Sequence, residues 1–74
     1  ANAAAKQVED IQLIEEKVGL ENLPEKLAIL AHFRLMHPEL SLKEVAAQVP
    51  DGPISKSGVN HRFQKIREMA QQYK

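Results

Sequence analysis

Residues 41–66 read SLKEVAAQVPDGPISKSGVNHRFQKI, and two helix-like patterns in this stretch flank a break rich in Pro, Gly and Asp. The first pattern begins with a capping box, in which the Ser41 hydroxyl accepts from the backbone N–H of Glu44 and the Glu44 carboxylate accepts from that of Ser41. The second pattern has apolar residues at three- and four-residue intervals, as on one buried helix face. These residues are Val59, Phe63, Ile66 and Ala70. The stretch therefore predicts a short helix, a turn and a longer helix.

Two further helices are predicted before this stretch. In the first, apolar residues spaced by three and four share one face, and Gly19 is suited to the end of the helix because glycine enters the left-handed region without strain. In the second, Pro24 suits the first helical position and Pro38 stops the helix. The apolar residues of the second helix point in nearly every direction, which predicts a central position. The four helices are expected at about residues 3–18, 24–37, 42–49 and 56–72.

The last helix carries a polar face opposite its apolar stripe. At about 100° per residue, Ser57, His61 and Gln64 lie opposite the core. We interpret the pair of helices as a helix-turn-helix, whose second helix enters the major groove of double-stranded DNA. The residues expected to face the groove are Lys56, Ser57, Asn60, His61 and Gln64. Those expected to hold phosphates are Lys43, Ser55, Arg62 and Lys65.

Several of these residues have a second interpretation. Gly58 allows a close approach to DNA or, as we favour, close packing of the preceding helix. Asn60 pairs with a base or caps a local carbonyl, and His61 contacts nucleic acid or is simply solvated. Arg62 lies nearer the core edge, so a phosphate or an acid of the same chain is a better partner for it than a base.

The charge of the chain is unevenly distributed. Residues 1–40 hold four Lys or Arg and seven Asp or Glu, whereas residues 41–74 hold six and three. Between Ser55 and Arg67 there are four basic residues and no acid. Such asymmetry favours a half that binds a polyanion, with a solvated helix face as the alternative.

Other classes of protein are disfavoured by composition. The chain has no cysteine, which excludes disulfides and thiolate metal sites, and no apolar run approaches the ~20 residues that span a membrane. His32 and His37 do not share a helix face, so no metal site is predicted. There is no nucleophile–base pair and no phosphate-binding loop. The sequence therefore predicts a single domain over residues 1–74, without catalytic residues or a cofactor.

The turn is longer than in the compact motif. Val59 lies thirteen positions after Ala46, and the extra length falls in PDGPI. Together with that turn, four segments resemble the C-terminal domain of WhiA, a family of bacterial sporulation regulators. These segments are KQVEDI at 6–11, GLENLPEKL at 19–27, HPELSLKE at 37–44 and SKSGVNHRFQKI at 55–66. Lys6 stands where the family pattern has Arg.

The resemblance implies a helix-turn-helix similar to region 4 of bacterial sigma factors, here as a C-terminal fragment of a longer protein. It also implies an N-terminal part similar to LAGLIDADG homing endonucleases but without nuclease activity. The implied function is sequence-specific DNA binding by a bacterial transcription factor of sporulation or cell division. Such a protein would lie in the cytoplasm, on the nucleoid, with no membrane partner. The alternative is an interaction module that docks on RNA polymerase or another regulator through its acidic first helix.

Overall fold

The computed structural model describes residues 3–74, and these residues form a small all-α domain without strands. The prediction of a four-helix domain is confirmed. A short 3-10 helix, Leu20–Asn22, joins the first two helices. The α-helices are α1 (Ala3–Lys17), α2 (Glu25–Met36), α3 (Leu42–Gln48) and α4 (Lys56–Gln71).

Local backbone signals set the boundary between α1 and α2. Gly19 has a φ of +88°, and its N–H and that of Val18 both donate to the Ile14 carbonyl, at 3.0 and 2.8 Å. This positive φ ends α1 at the residue that the sequence indicates. Pro24 is the N-cap of α2 rather than its first helical residue, since its ψ is 144°. Its carbonyl accepts from the Ala28 N–H at 2.9 Å, so Pro24 precedes the helical backbone by one position.

The core brings one face of each helix together around α4. α4 packs against α1, α2 and α3, whereas α2 packs against α1, α4 and the 3-10 helix. The expected central position of α2 is therefore wrong, and α4 is the helix that contacts the other three. Several apolar side chains of α2 are only partly buried, and Met36 is 74% exposed. The fully enclosed core side chains include Ile11, Ile14, Leu20, Leu30, Val45, Val59 and Ile66.

A buried arginine of α2 links elements from the whole domain. The Arg34 side chain is 1% exposed, and its Nε donates to Oε1 of Gln7 in α1 at 2.9 Å. Nη1 donates to the carbonyls of His37 and Leu40 in the α2–α3 loop. The guanidinium carbon lies 5.8 Å from the centroid of the Phe63 ring in α4. Burial lowers the pKa of Arg34, and the nearby Glu39 carboxylate partly opposes that shift.

Candidate nucleic-acid interface

α3 begins with the capping box that the sequence predicts. The Glu44 N–H donates to Ser41 Oγ at 3.2 Å, and the Ser41 N–H donates to Glu44 Oε1 at 2.9 Å. The Ser41 backbone N–H, with its hydroxyl, lowers the pKa of the Glu44 carboxyl. Val45 and Ala46 in the next turn are buried, so the cap fixes the start of a helix that packs on the core.

The turn between α3 and α4 folds back onto α3. The Gly52 N–H donates to the Val49 carbonyl at 2.9 Å. Two residues later, the Ile54 N–H donates to the Ala46 carbonyl, also at 2.9 Å. The peptide bond between Gly52 and Pro53 is cis. The longer turn is thus held to α3 by backbone hydrogen bonds.

The first turn of α4 is closed by Ser55. Its hydroxyl accepts from the Gly58 N–H at 3.0 Å, so Ser55 is the N-cap of α4. A Cβ at Gly58 would lie 3.2 Å from Ser55 Oγ and 3.9 Å from Ile54. These neighbours belong to the turn, so the expectation that α3 crosses closely at Gly58 is wrong. The space at Gly58 is limited by the cap and by Ile54.

The polar face of α4 is exposed as the sequence predicts. Lys65 Nζ lies 4.0 Å from Glu68 Oε1, and the side chain of Gln64 also approaches that carboxylate, at 3.5 Å. An exposed ion pair of this length is weak, so it leaves the Lys65 ammonium available to an anion. The exposed candidates are Lys43, Ser55, Lys56, Ser57, Asn60, His61, Gln64 and Lys65.

Arg62 differs from the other candidates because the structure gives it a partner. Its Nη1 donates to both carboxylate oxygens of Asp51, at 2.9 and 3.2 Å. Of the two interpretations of this residue, pairing with an acid of the same chain is the one observed. The pair joins the turn to the second turn of α4.

A groove between α1 and α4 brings in two basic residues that the sequence analysis did not assign. Asn60 and Gln64 line this groove together with Lys6 and Arg67. Arg67 belongs to the basic stretch of the last helix, so the charge pattern of the sequence could have identified it as a candidate. Lys6 lies in α1, and only tertiary packing brings it to this surface.

Neither a metal site nor a membrane-spanning helix is found in the part of the chain that the structure describes. Residues 3–74 contain no group of three or more His, Asp or Glu side chains placed to hold a metal ion. None of the described helices is long and apolar enough to cross a membrane. His37, which was considered as a metal ligand, lies beside an acid: its Nδ1 is 3.8 Å from a carboxylate oxygen of Glu39.

A short capped helix, a closed turn and a longer helix with an exposed polar face define a helix-turn-helix domain. The family model for the WhiA C-terminal HTH domain matches residues 1–70. The chain therefore belongs to the WhiA family, as its resemblance in sequence implied. The domain that this family model describes is a helix-turn-helix domain.

Relatives and one solved structure support this assignment. The probable cell division protein WhiA of Lactobacillus gasseri is 96% identical over 74 residues, which are all of this chain and 24% of that protein. The protein of the same name from Brevibacillus brevis is 54% identical over 69 residues, 93% of this chain and 22% of its own length. The crystal structure of full-length WhiA from Thermotoga maritima superposes with a TM-score of 0.88 at 37% identity, covering 96% of this chain and 24% of that chain. The chain thus spans about a quarter of the length of these bacterial proteins.

Proposed function

We propose that this domain binds double-stranded DNA in a sequence-specific manner, with α4 in the major groove. The observation that carries the proposal is the exposed polar face of α4, which follows a capped α3 and a turn held by hydrogen bonds. Helix-turn-helix proteins place the N-terminal part of such a helix at base edges while the preceding helix lies across the backbone. α4 is also well supported, because it packs against all three other helices.

Base readout is assigned to the first half of the exposed face. Ser57, Asn60, His61 and Gln64 carry groups that donate or accept hydrogen bonds, and these can distinguish base pairs in the major groove. All four side chains belong to exposed residues of α4. We assign Lys56, in the first turn of α4, to the same groove-facing group.

Phosphate contacts are assigned to the edges of this face. Lys43 on α3 and Lys65 on α4 are exposed cations, and Ser55 lies where the turn meets α4. The Ser55 oxygen is occupied as a cap acceptor, and its hydroxyl hydrogen is the part that would reach a phosphate. Such contacts position a protein on the duplex without reading its sequence.

A salt titration of duplex binding tests the proposal. Cations that neutralise phosphates release counterions, so log affinity falls with log salt by about 0.9 for each phosphate contact. Lys56→Ala and Lys65→Ala should each flatten that slope by about 0.9 and weaken target and random duplex alike. Lys17→Ala removes an exposed cation from the last turn of α1 and should leave the slope unchanged. If Lys56→Ala and Lys65→Ala keep the salt slope of the parent, as Lys17→Ala should, the basic face of α4 is only a solvated surface.

For the longer protein, we propose a bacterial transcriptional regulator that acts on the nucleoid. The relatives named as probable cell division proteins support a role in cell division, and the family resemblance adds sporulation. An N-terminal part similar to LAGLIDADG endonucleases and a likeness of this domain to region 4 of sigma factors also belong to this proposal. A footprint of the full-length protein on its own genome tests it, and protected sites upstream of division genes are the expected result.

A second candidate function is docking on RNA polymerase or another regulator. The observation in its favour is the set of exposed acids on α1, which includes Glu9, Glu15 and Glu16. A basic protein surface would be the matching partner. This function predicts that the chain binds its protein partner without DNA and that loss of these acids weakens the complex.

A further inference from the structure

Asp51 and Arg62 form an ion pair that joins the turn to α4. Asp51 lies in the turn, and Arg62 lies eleven residues later in the second turn of the helix. Both carboxylate oxygens accept from the same guanidinium nitrogen, at 2.9 and 3.2 Å. The turn is therefore held at two places, to α3 through its backbone and to α4 through this pair.

The pair is more enclosed than the cations of the exposed face. The side chain of Arg62 is 14% exposed and that of Asp51 is 23% exposed, whereas the side chain of Lys65 is 54% exposed. Partial shielding from water strengthens the attraction between two charges, because less solvent screens them. Arg62 is thus held in one place, while Lys65 remains open to solvent.

We propose that Asp51 and Arg62 are positioning residues for DNA recognition, and that Arg62 does not neutralise a phosphate. The pair fixes the turn against α4 and so sets the angle at which α4 meets the groove. This inference rests on the proposed function, since it explains how a longer turn presents the recognition helix. Base contacts require a fixed angle of α4, because a small displacement of the helix separates its side chains from the base edges.

The competing interpretation is that Arg62 also reaches a phosphate. An arginine has five N–H donors, and the contacts with Asp51 use one nitrogen. The two interpretations give opposite results for Asp51→Asn. Release of Arg62 from its acid would raise duplex affinity if Arg62 binds phosphate, whereas loss of the restraint lowers affinity for the target if the pair positions α4.

The experiment compares Asp51→Asn, Arg62→Gln and the double variant in the full chain. The probes are a duplex selected from a random pool by the parent protein and a random-sequence duplex. Each single variant should lose about tenfold in affinity for the selected duplex, and the double variant should lose no more, because both changes remove the same interaction. The double variant keeps the net charge of the parent, so long-range electrostatics do not account for its loss.

The salt slope separates positioning from phosphate binding. All three variants should keep the parent slope, while the matched control Lys65→Gln, which removes one charge from the same helix, should flatten it by about 0.9. A flattened slope for Arg62→Gln, a gain in affinity for Asp51→Asn, or a loss of about a hundredfold in the double variant would overturn the inference.

Circular dichroism at the binding temperature controls for folding. A pair that serves stability alone would lower the melting temperature and leave the affinity of the folded variants unchanged, which would also overturn the inference. The charge-swapped variant Asp51→Arg with Arg62→Asp gives a further check, since it should recover selected-duplex affinity relative to either single reversal. A parent chain that binds no duplex would overturn the proposed function instead.

Discussion

Among single residues, Arg34 is where we expect the largest loss of stability. Arg34→Ala would remove the donor to the Leu40 carbonyl and to the amide oxygen of Gln7, and it would leave the His37 carbonyl only the Leu40 N–H, at 3.4 Å. The lost hydrogen bonds to these partly buried acceptors and the cavity left by the buried side chain should together cost about 3–5 kcal/mol in the free energy of unfolding. Urea denaturation followed by circular dichroism measures this loss.

Two comparisons make that prediction specific. Arg67→Ala removes an arginine that is exposed on α4, and its effect should stay within about 0.5 kcal/mol. Arg34→Lys keeps a cation and some donors, so it should lose less than Arg34→Ala. Equal stabilities for Arg34→Ala and Arg67→Ala would show that the hydrogen bonds of Arg34 contribute nothing.

The selectivity of DNA binding should depend on Asn60 and His61. If these side chains meet base edges, Asn60→Ala and His61→Ala should each cost about 1–3 kcal/mol at one base position and relax the preference there. Affinity for random duplex should fall much less, and the salt slope should barely change for Asn60→Ala. Binding-site selection with each variant is the measurement. Unchanged base preferences in both would argue for the protein-docking function.

At the scale of one element, the capping box of α3 predicts a pH dependence. The pKa of Glu44 is lowered from 4.5 in the folded state, so the cap stabilises the fold above that value and this contribution is lost as pH falls through the lowered pKa. The difference in melting temperature between the parent and Glu44→Ala should therefore narrow as pH falls from about 6 to about 3. Glu16→Ala, in the middle of α1, is the control. A difference that stays constant with pH would contradict a role for the ionised carboxylate.

The elements were predictable where their signals are local. The capping box of Ser41 and Glu44 and the helix end at Gly19 each act within a few residues, and each does in the structure what its sequence context predicts. Pro24 was placed one position too far into α2, because a proline fits both the cap and the first helical turn. Local sequence signals thus identify where helices begin and end, but they do not distinguish the cap from the first helical position.

The packing was harder to predict because it depends on partners distant in sequence. An arginine within an apolar helix gives no local sign that Gln7 and the α2–α3 loop will supply its acceptors. The sequence indicates a phosphate or an acid of the same chain as the partner of Arg62. Only the folded turn shows that this acid is Asp51. The apolar composition of α2 suggested a central helix, but the centre belongs to α4, whose stripe meets three neighbours.

At the scale of the whole molecule, the separation of charge distinguishes the two candidate functions. Glu15→Gln with Glu16→Gln removes two exposed acids from α1. If α4 binds DNA and these two acids of α1 lie outside the interface, this double variant should keep target selectivity and change duplex affinity less than threefold, about 0.6 kcal/mol. Fluorescence anisotropy with the selected duplex measures the affinity. Loss of binding to RNA polymerase in the same variant, with duplex binding intact, would assign protein docking to α1.

The position of Arg34 also bears on how the domain opens. Its side chain touches α1, the α2–α3 loop and α4, so α2 cannot leave the core without breaking contacts on each of them. We therefore expect the opening of α2 alone to be nearly as costly as complete unfolding. Amide hydrogens in the buried turns of α1, α2 and α4 should exchange with solvent as one cooperative unit, and their protection should rise and fall together with denaturant.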